Sequence, residues 1–189
     1  MSDRVAAVEV LHAVDAALRE LGVRWYVFGA QAAIIWGSPR LSSDVDVTLE
    51  AVAPDRVVQT FRSHGFDIVE SDPEFIERTR VIPVVHRKSG MPVDLVLAGA
   101  GLEEEFLERS IACDVNGRDL PVMSPEDLIA TKILAGRAKD LEDVRSVMRA
   151  RAESLDVERV RSLLALLEQA LTRSDLLREF DAEWQKVRQ

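Results

Sequence analysis

Three aspartates and one glycine are the residues whose types and spacing can do chemistry. Asp44 and Asp46 flank a single valine in a stretch, 44–49, that alternates polar and apolar. On a strand, residues two apart point to the same side with Cα atoms roughly 6.5 to 7 Å apart, so both carboxylates can reach one hard cation. Asp94 lies in Pro92-Val93-Asp94-Leu95-Val96-Leu97, a later strand-like run that can pair beside the first and bring a third carboxylate to the same place. Gly29 separates the short aromatic and β-branched stretch 24–28 from a small-residue helical segment, 30–36. A chain that turns at glycine from strand into helix presents free backbone N–H groups and the positive end of a helix dipole. Both suit a phosphate, and glycine lets it approach the backbone closely. Mg²⁺ prefers carboxylate oxygens together with substrate phosphates, and three carboxylates can hold two such ions. One would lower the pKa of an attacking hydroxyl while the other stabilises a leaving pyrophosphate in an in-line displacement. Taken alone, Asp-x-Asp also reads as the wet face of an amphipathic strand; the conjunction with the turn glycine and the later aspartate singles it out.

The elements that must position these residues are legible in the periodicity. Residues 2–21 carry Val5, Val8, Leu11, Val14, Leu18 and Leu21 at helical spacings, with Ser2 as N-cap and Gly22 as the stop. Residues 54–64 predict a helix with Pro54 in its first turn and Gly65 at its end. Stretches 66–70, 80–87, 92–98 and 111–115 are further strand candidates, with Lys88-Ser89-Gly90 as a hairpin turn and Cys113 as a small buried hydrophobe. From Ser124 the signals turn helical: Ser124 caps, Pro125 takes the first position, and Glu126 and Asp127 complement the dipole. Three or four helices complete the chain, two of them marked by apolar stripes through Leu155, Val160, Leu163, Leu164, Leu167 and Leu171, and through Leu176, Leu177, Phe180 and Trp184.

These motifs resemble a known family, the nucleotidyltransferases of the polymerase-beta superfamily, whose pattern is a glycine with a small partner followed by a spaced acidic pair. Gly29-Ala30, Trp36-Gly37-Ser38-Pro39-Arg40 and Ser43-Asp44-Val45-Asp46-Val47 look particularly like the bacterial branch that includes abortive-infection-type toxins. The runs 124–132, ending at Lys132, and 139–144, holding Asp140 and Asp143, resemble that branch's helical motifs. The resemblance implies an α/β (α+β) fold, a mixed twisted sheet with flanking helices. Residues 1–122 would form the nucleotidyltransferase core and 123–189 a helical region packed on it. It further implies transfer of a nucleoside monophosphate from an NTP to an acceptor hydroxyl on RNA, protein or a small molecule, with Mg²⁺ or Mn²⁺. Asp44 and Asp46 would bind both metals, Asp94 would assist on the acceptor side, and Gly29 and Ala30 would cradle the phosphates. Arg40 and Lys132 are candidates to contact the triphosphate. The superfamily usually has Gly or Ser where this chain has Ala30, which removes one phosphate hydrogen bond. That departure keeps an alternative open: a non-catalytic nucleotide-binding or regulatory module acting with a protein partner through the C-terminal helices.

Bulk composition narrows the field. At 189 residues and 47% hydrophobic the chain buries a core without staples, and its single cysteine excludes an intrachain disulfide or a thiolate metal cluster. The formal net charge of -9 opposes broad nucleic-acid binding. The N-terminal segment lacks the basic start and apolar run of a signal peptide, and 25–36 is too short to span a membrane, so a cytoplasmic location is expected.

Overall fold

The computed structural model describes residues 3–188. The expected Ser2 cap lies outside these described residues. Two compact units divide the chain: residues to Gln31 together with Leu41–Met123, and Ala32–Arg40 together with the chain from Ser124.

The first unit holds a sheet that is seven-stranded among the described residues. Helix α1 (Asp3–Leu21) leads into β1 (Trp25–Phe28), and α2 (Gly29–Ile35) begins at the next residue. Then come β2 (Val45–Leu49), α3 (Pro54–Ser63), β3 (Phe66–Ile68), α4 (Pro73–Thr79), β4 (Val81–His86), β5 (Pro92–Leu97), α5 (Leu102–Arg109), β6 (Ile111–Asp114) and β7 (Asp119–Val122). The strand order is β3-β4-β5-β2-β1-β7-β6. β2 runs parallel to β5 and antiparallel to β1, and β1 runs parallel to β7, so the sheet is mixed, as expected.

Alternation gives the central strands two unlike faces. Val45, Val47 and Leu49 of β2 register with Val93, Leu95 and Leu97 of β5, and all six are buried. On β4, Ile82 and Val84 pair opposite Leu95 and Val93 and are buried with them. α1 packs on β2 and α3 with its buried stripe Val10, Leu11, Val14, Ala17 and Leu18, while α3 contributes Val57 and Phe61. Each fully buried Val, Leu or Phe is worth roughly 1.5–3 kcal/mol of transfer free energy, so this face anchors the strands that carry the aspartates. Residues between these positions, Asp46 and Asp94 among them, turn to the other face. Cys113 is half-buried on β6 rather than fully enclosed, because β6 is an edge strand with Ile111 and Ala112 exposed beside it.

In the second unit the helices are α6 (Pro125–Ala135), α7 (Ala138–Arg151), α8 (Val157–Leu171) and α9 (Leu176–Arg188), joined by the end of α2 and the segment after it. The Ser124 hydroxyl accepts the Asp127 backbone N–H at 3.1 Å, as the capping pattern predicts. Val144, Val147, Met148, Val160, Leu164 and Phe180 fill the helical core. Arg159 reaches the fully buried Asp127 at 2.9 Å, and Arg145 reaches Glu183 at 2.8 Å. No helix among the described residues is long and apolar enough to cross a membrane.

Candidate active site

The site is built where β1 ends. Gly29 takes φ +64°, a backbone region that costs an L side chain strain, and α2 starts there. A Cβ placed on Gly29 would fall on the Asp46 side chain, 3.0 Å from its Cγ and 3.3 Å from its Cβ, with Oδ2 closer still. Glycine is therefore the residue that lets the Asp46 carboxylate lie against the turn. The antiparallel register of Phe28 with Asp46 carries this arrangement, and Ala30 follows inside the helix, buried.

The carboxylates come from adjacent strands. Asp46 on β2 is the direct registry partner of Asp94 on β5, and neighbouring strands lie about 4.8 Å apart. Asp44 stands one residue ahead of β2 and is exposed. It is held from two sides: the Ser42 hydroxyl donates to its Oδ1 at 2.5 Å, and Gln31 Nε2 donates to its backbone carbonyl at 3.0 Å. Desolvation, and after it the negative charge of Asp44, push the Asp94 carboxyl above the usual carboxylate range. Among the described residues no group of three or more His, Cys, Asp or Glu side chains is placed to hold a metal ion by itself. Asp46 and Asp94 share one face of the sheet, and carboxylate oxygens are hard donors, the type that binds a divalent cation when phosphate oxygens complete its shell.

Arg40 and Lys132 have different surroundings, all within the helical unit. Lys132 Nζ lies 2.8 Å from Asp143 Oδ2 and 3.3 Å from Asp140 Oδ1, and its side chain is only 7% exposed. Its ammonium is met by both carboxylates inside the helical unit. Arg40 Nε is 2.9 Å from Asp143 Oδ1 without hydrogen-bond geometry, and its side chain keeps 29% exposure. Ser38 donates its hydroxyl to the same Oδ1 at 2.9 Å, and Arg137 Nε donates to Asp140 at 2.5 Å. Burial raises the Asp140 carboxyl, but the Arg137 hydrogen bond and the charge and hydrogen bond of Lys132 outweigh it and hold the group below its ordinary value.

Comparison with known proteins decides the family. Over residues 9–189 the sequence matches the family described as nucleotidyltransferase of unknown function (DUF6036). The chain belongs to this family. No curated protein matches this nucleotidyltransferase. Among solved structures it is similar to the antibiotic-resistance factor ANT(2'')-Ia in solution, with TM-score 0.67 and 18% identity over 89% of this chain and 94% of that one. The crystal structure of ANT(2'')-Ia with adenylyl-2''-tobramycin gives TM-score 0.62 and 17% identity over 88% and 99% of the two chains. The lincosamide antibiotic adenylyltransferase LnuA, lincomycin-bound, gives 0.53 and 15% over 74% and 94%. At these identities the likeness shows the fold.

Sequence reasoning about this nucleotidyltransferase missed the partners of its aspartates. Gln31 and Ser42, which hold Asp44, sit thirteen residues before and two residues before it, and a serine two residues ahead of an aspartate is the only local signal. The roles of Asp140 and Asp143 lay in their i, i+3 spacing on one helical face, which reads as ordinary N-terminal acid until Lys132 and Ser38 are seen beside them.

Proposed function

We propose that this nucleotidyltransferase moves AMP from ATP to a hydroxyl of a small, cationic acceptor, using Mg²⁺ or Mn²⁺. The observation that carries the reading is the registry of Asp46 with Asp94 above a glycine turn that only glycine can make, with Asp44 held two residues ahead. Asp44 and Asp46 would hold the divalent ions; when bound, these would neutralise the triphosphate and acidify the attacking hydroxyl. Gly29 and Ala30 open the helix beside them and present backbone N–H groups to phosphate. The acceptor oxygen bonds to the α-phosphorus as the bond to the β-phosphate oxygen breaks, and pyrophosphate leaves. Asp94, whose carboxyl binds a proton more tightly than an ordinary aspartate, receives the hydroxyl proton. Arg40 retains exposed surface for the triphosphate, while Lys132 is committed to Asp143 and Asp140.

The acceptor class is argued from charge. A net -9 attracts a polycation such as an amino sugar and repels RNA at long range. The fold neighbours support the choice, since one is seen with adenylylated tobramycin and another with lincomycin.

Each of four α-labelled NTPs, with Mg²⁺ or Mn²⁺, is offered to amino sugars, to total RNA and to lysate protein, with an Asp44→Asn/Asp46→Asn variant in parallel. Label in the amino-sugar pool that vanishes in the variant supports the reading. Label in RNA or protein moves the acceptor to the class of the abortive-infection-type toxins. Ala30, which offers phosphate no hydroxyl, supports a second reading, a nucleotide-binding module without turnover that meets a protein through exposed Leu166 and Leu171 of α8. NTP binding with no transfer to any pool would establish it.

A further inference from the structure

β4 and β5 carry apolar side chains on both faces of the sheet. Ile82 and Val84 of β4 and Val93 and Leu95 of β5 turn to the core. The pairs on the other face are Val81 with Val96, Pro83 with Asp94 and Val85 with Pro92, each residue half-buried or exposed. Backbone hydrogen bonds show how close these pairs stand. The Leu97 N–H donates to the Arg80 carbonyl at 2.8 Å and the His86 N–H to the Met91 carbonyl at 3.0 Å, so the bonded pairs of this ladder alternate with the three on the open face. Those three are non-hydrogen-bonded pairs, whose Cα atoms lie about 4.5 Å apart and whose side chains approach most closely. Asp94 is the polar member of a ledge that is otherwise valine and proline. The open face of an antiparallel ladder ordinarily carries polar residues, as β3 does with Asp67 in register with Val85. Pro83 departs furthest, since proline is rare in a strand with neighbours on both sides. Its carbonyl accepts the Val69 N–H at 2.9 Å, so its missing donor faces β3 and leaves the ladder to β5 whole. Desolvation is the largest cause of the raised Asp94 carboxyl, which accords with these apolar neighbours.

We infer that this ledge, Val81, Pro83 and Val85 with Pro92 and Val96, is the acceptor subsite, and that the acceptor bears an apolar patch beside the hydroxyl that Asp94 meets. The order of strands carries the assignment: Phe28, Asp46, Asp94 and Pro83 are successive registry partners across β1, β2, β5 and β4. The Gly29 turn, which suits phosphate, follows Phe28 at one end of that row. In-line displacement sets the attacking oxygen opposite the leaving pyrophosphate, so its carrier falls to the Pro83 end. The small cationic acceptor of the proposed reaction thereby becomes an amphipathic one, a hydroxylated amine with an alkyl or ring C–H face for the ledge. The inference rests on the reading of Asp94 as the acceptor-side carboxylate, although occupancy of the ledge can be judged without turnover.

The test uses the full chain with Mg²⁺ and a non-hydrolysable ATP analogue, and two probes, glucosamine and its butyl glycoside. The butyl glycoside is expected to bind about tenfold more tightly, the effect of burying about half of its alkyl chain, and to shift the NMR signals of the Val81, Val85 and Val96 methyl groups. Val81→Thr/Val85→Thr keeps β-branched side chains but lines the ledge with hydroxyls, and should bring the two probes within about twofold of each other. Ile111→Thr, the same kind of change on the exposed edge strand β6, should keep the tenfold preference. In transfer assays the double variant should raise KM for the butyl glycoside about tenfold. Its kcat and its KM for the NTP should stay within about twofold of wild type, since ledge contacts are alike in ground and transition states. Equal affinity of the wild type for the two probes overturns the ledge, as does a preference that survives the double variant or methyl shifts confined to other residues. If the wild type discriminates between the probes but transfers to neither, the proposed reaction fails and the ledge stands as a binding surface. Transfer to both probes with equal KM keeps the reaction and overturns the ledge.

Discussion

Along and just before β2, and on β5, three aspartates share one region of the sheet; in the helical unit two aspartates on α7 share one end of a helix. The two regions treat their charge in opposite ways. Asp44 and Asp94 are exposed, and the negative charge of Asp44 adds to the desolvation that raises the Asp94 carboxyl. Asp140 and Asp143 are 1% and 0% exposed and are met by Lys132, Arg40, Arg137 and Ser38. A protein gains nothing for its own stability by holding like charges together. On the proposed reading the first region spends stability on a ligand, whereas the second uses matched charge to hold a shape.

That contrast can be broken most directly at its functional end. Asp44→Asn/Asp46→Asn should cut NMP transfer by at least about a thousandfold, as loss of groups acting as a unit does. Its thermal midpoint should stay level or rise, because repulsion is removed. A double variant that loses stability in a melting experiment would mean that these carboxylates hold the fold.

The opposite outcome is expected in the helical unit. Asp143→Ala leaves Lys132 and Arg40 facing a void, and breaking a buried ion pair costs about 3–5 kcal/mol. For a chain of this length that corresponds to a fall in Tm of about 10 °C. Adding Lys132→Met should recover part of the loss, since apolar replacement of a buried pair is often neutral or better. No recovery would show that Lys132 is stabilised by something other than its two aspartates.

Gly29→Ala joins both effects. An alanine at φ +64° is strained, and its Cβ displaces Asp46, so about 1–3 kcal/mol of stability should go. Transfer should fall about a hundredfold through misplacement of the carboxylate. A fully active variant would separate the glycine turn from the site.

What was legible in the sequence was what repeats locally. The alternation of 44–49 and the strand-like run 92–98 predicted β2 and β5 to within a residue, and pairing them brings Asp46 beside Asp94. Helices α4 and α5 were not foreseen, because seven and eight residues give too few turns for a periodic signal. β7 was hidden by Pro121, which reads as a strand breaker; it is accommodated opposite Ala112, while β1 meets β7 only at Val27 and Val122. The hydrogen bond from Ser38 to Asp143 was illegible for another reason: the two residues are 105 apart, and no local pattern reports such a contact.

The smallest expected effect sharpens the comparison most finely, because it concerns the price of a single charge on the exposed edge. The Asp94 carboxyl is raised, so the folded state binds its proton more tightly than the unfolded chain does. Ionisation of Asp94 then costs folded-state stability at every pH above the raised value, and costs nothing below the ordinary carboxylate value near pH 4. Asp94→Asn carries no such penalty. At pH 7 its Tm should exceed that of the wild type by about 1–2 °C, a modest gain because solvent screens the exposed group. The gap should close as pH falls toward about 4, the reverse of what an ion-paired aspartate such as Asp140 gives, whose contribution is lost on acidification. Mg²⁺ with a non-hydrolysable ATP analogue should narrow the gap at pH 7 as well, since ligand that binds only the folded state stabilises it and favours the ionised carboxylate. A wild type that outmelts Asp94→Asn at pH 7 without ligand would place Asp94 among the structural charges and leave the exposed edge with two carboxylates for its chemistry.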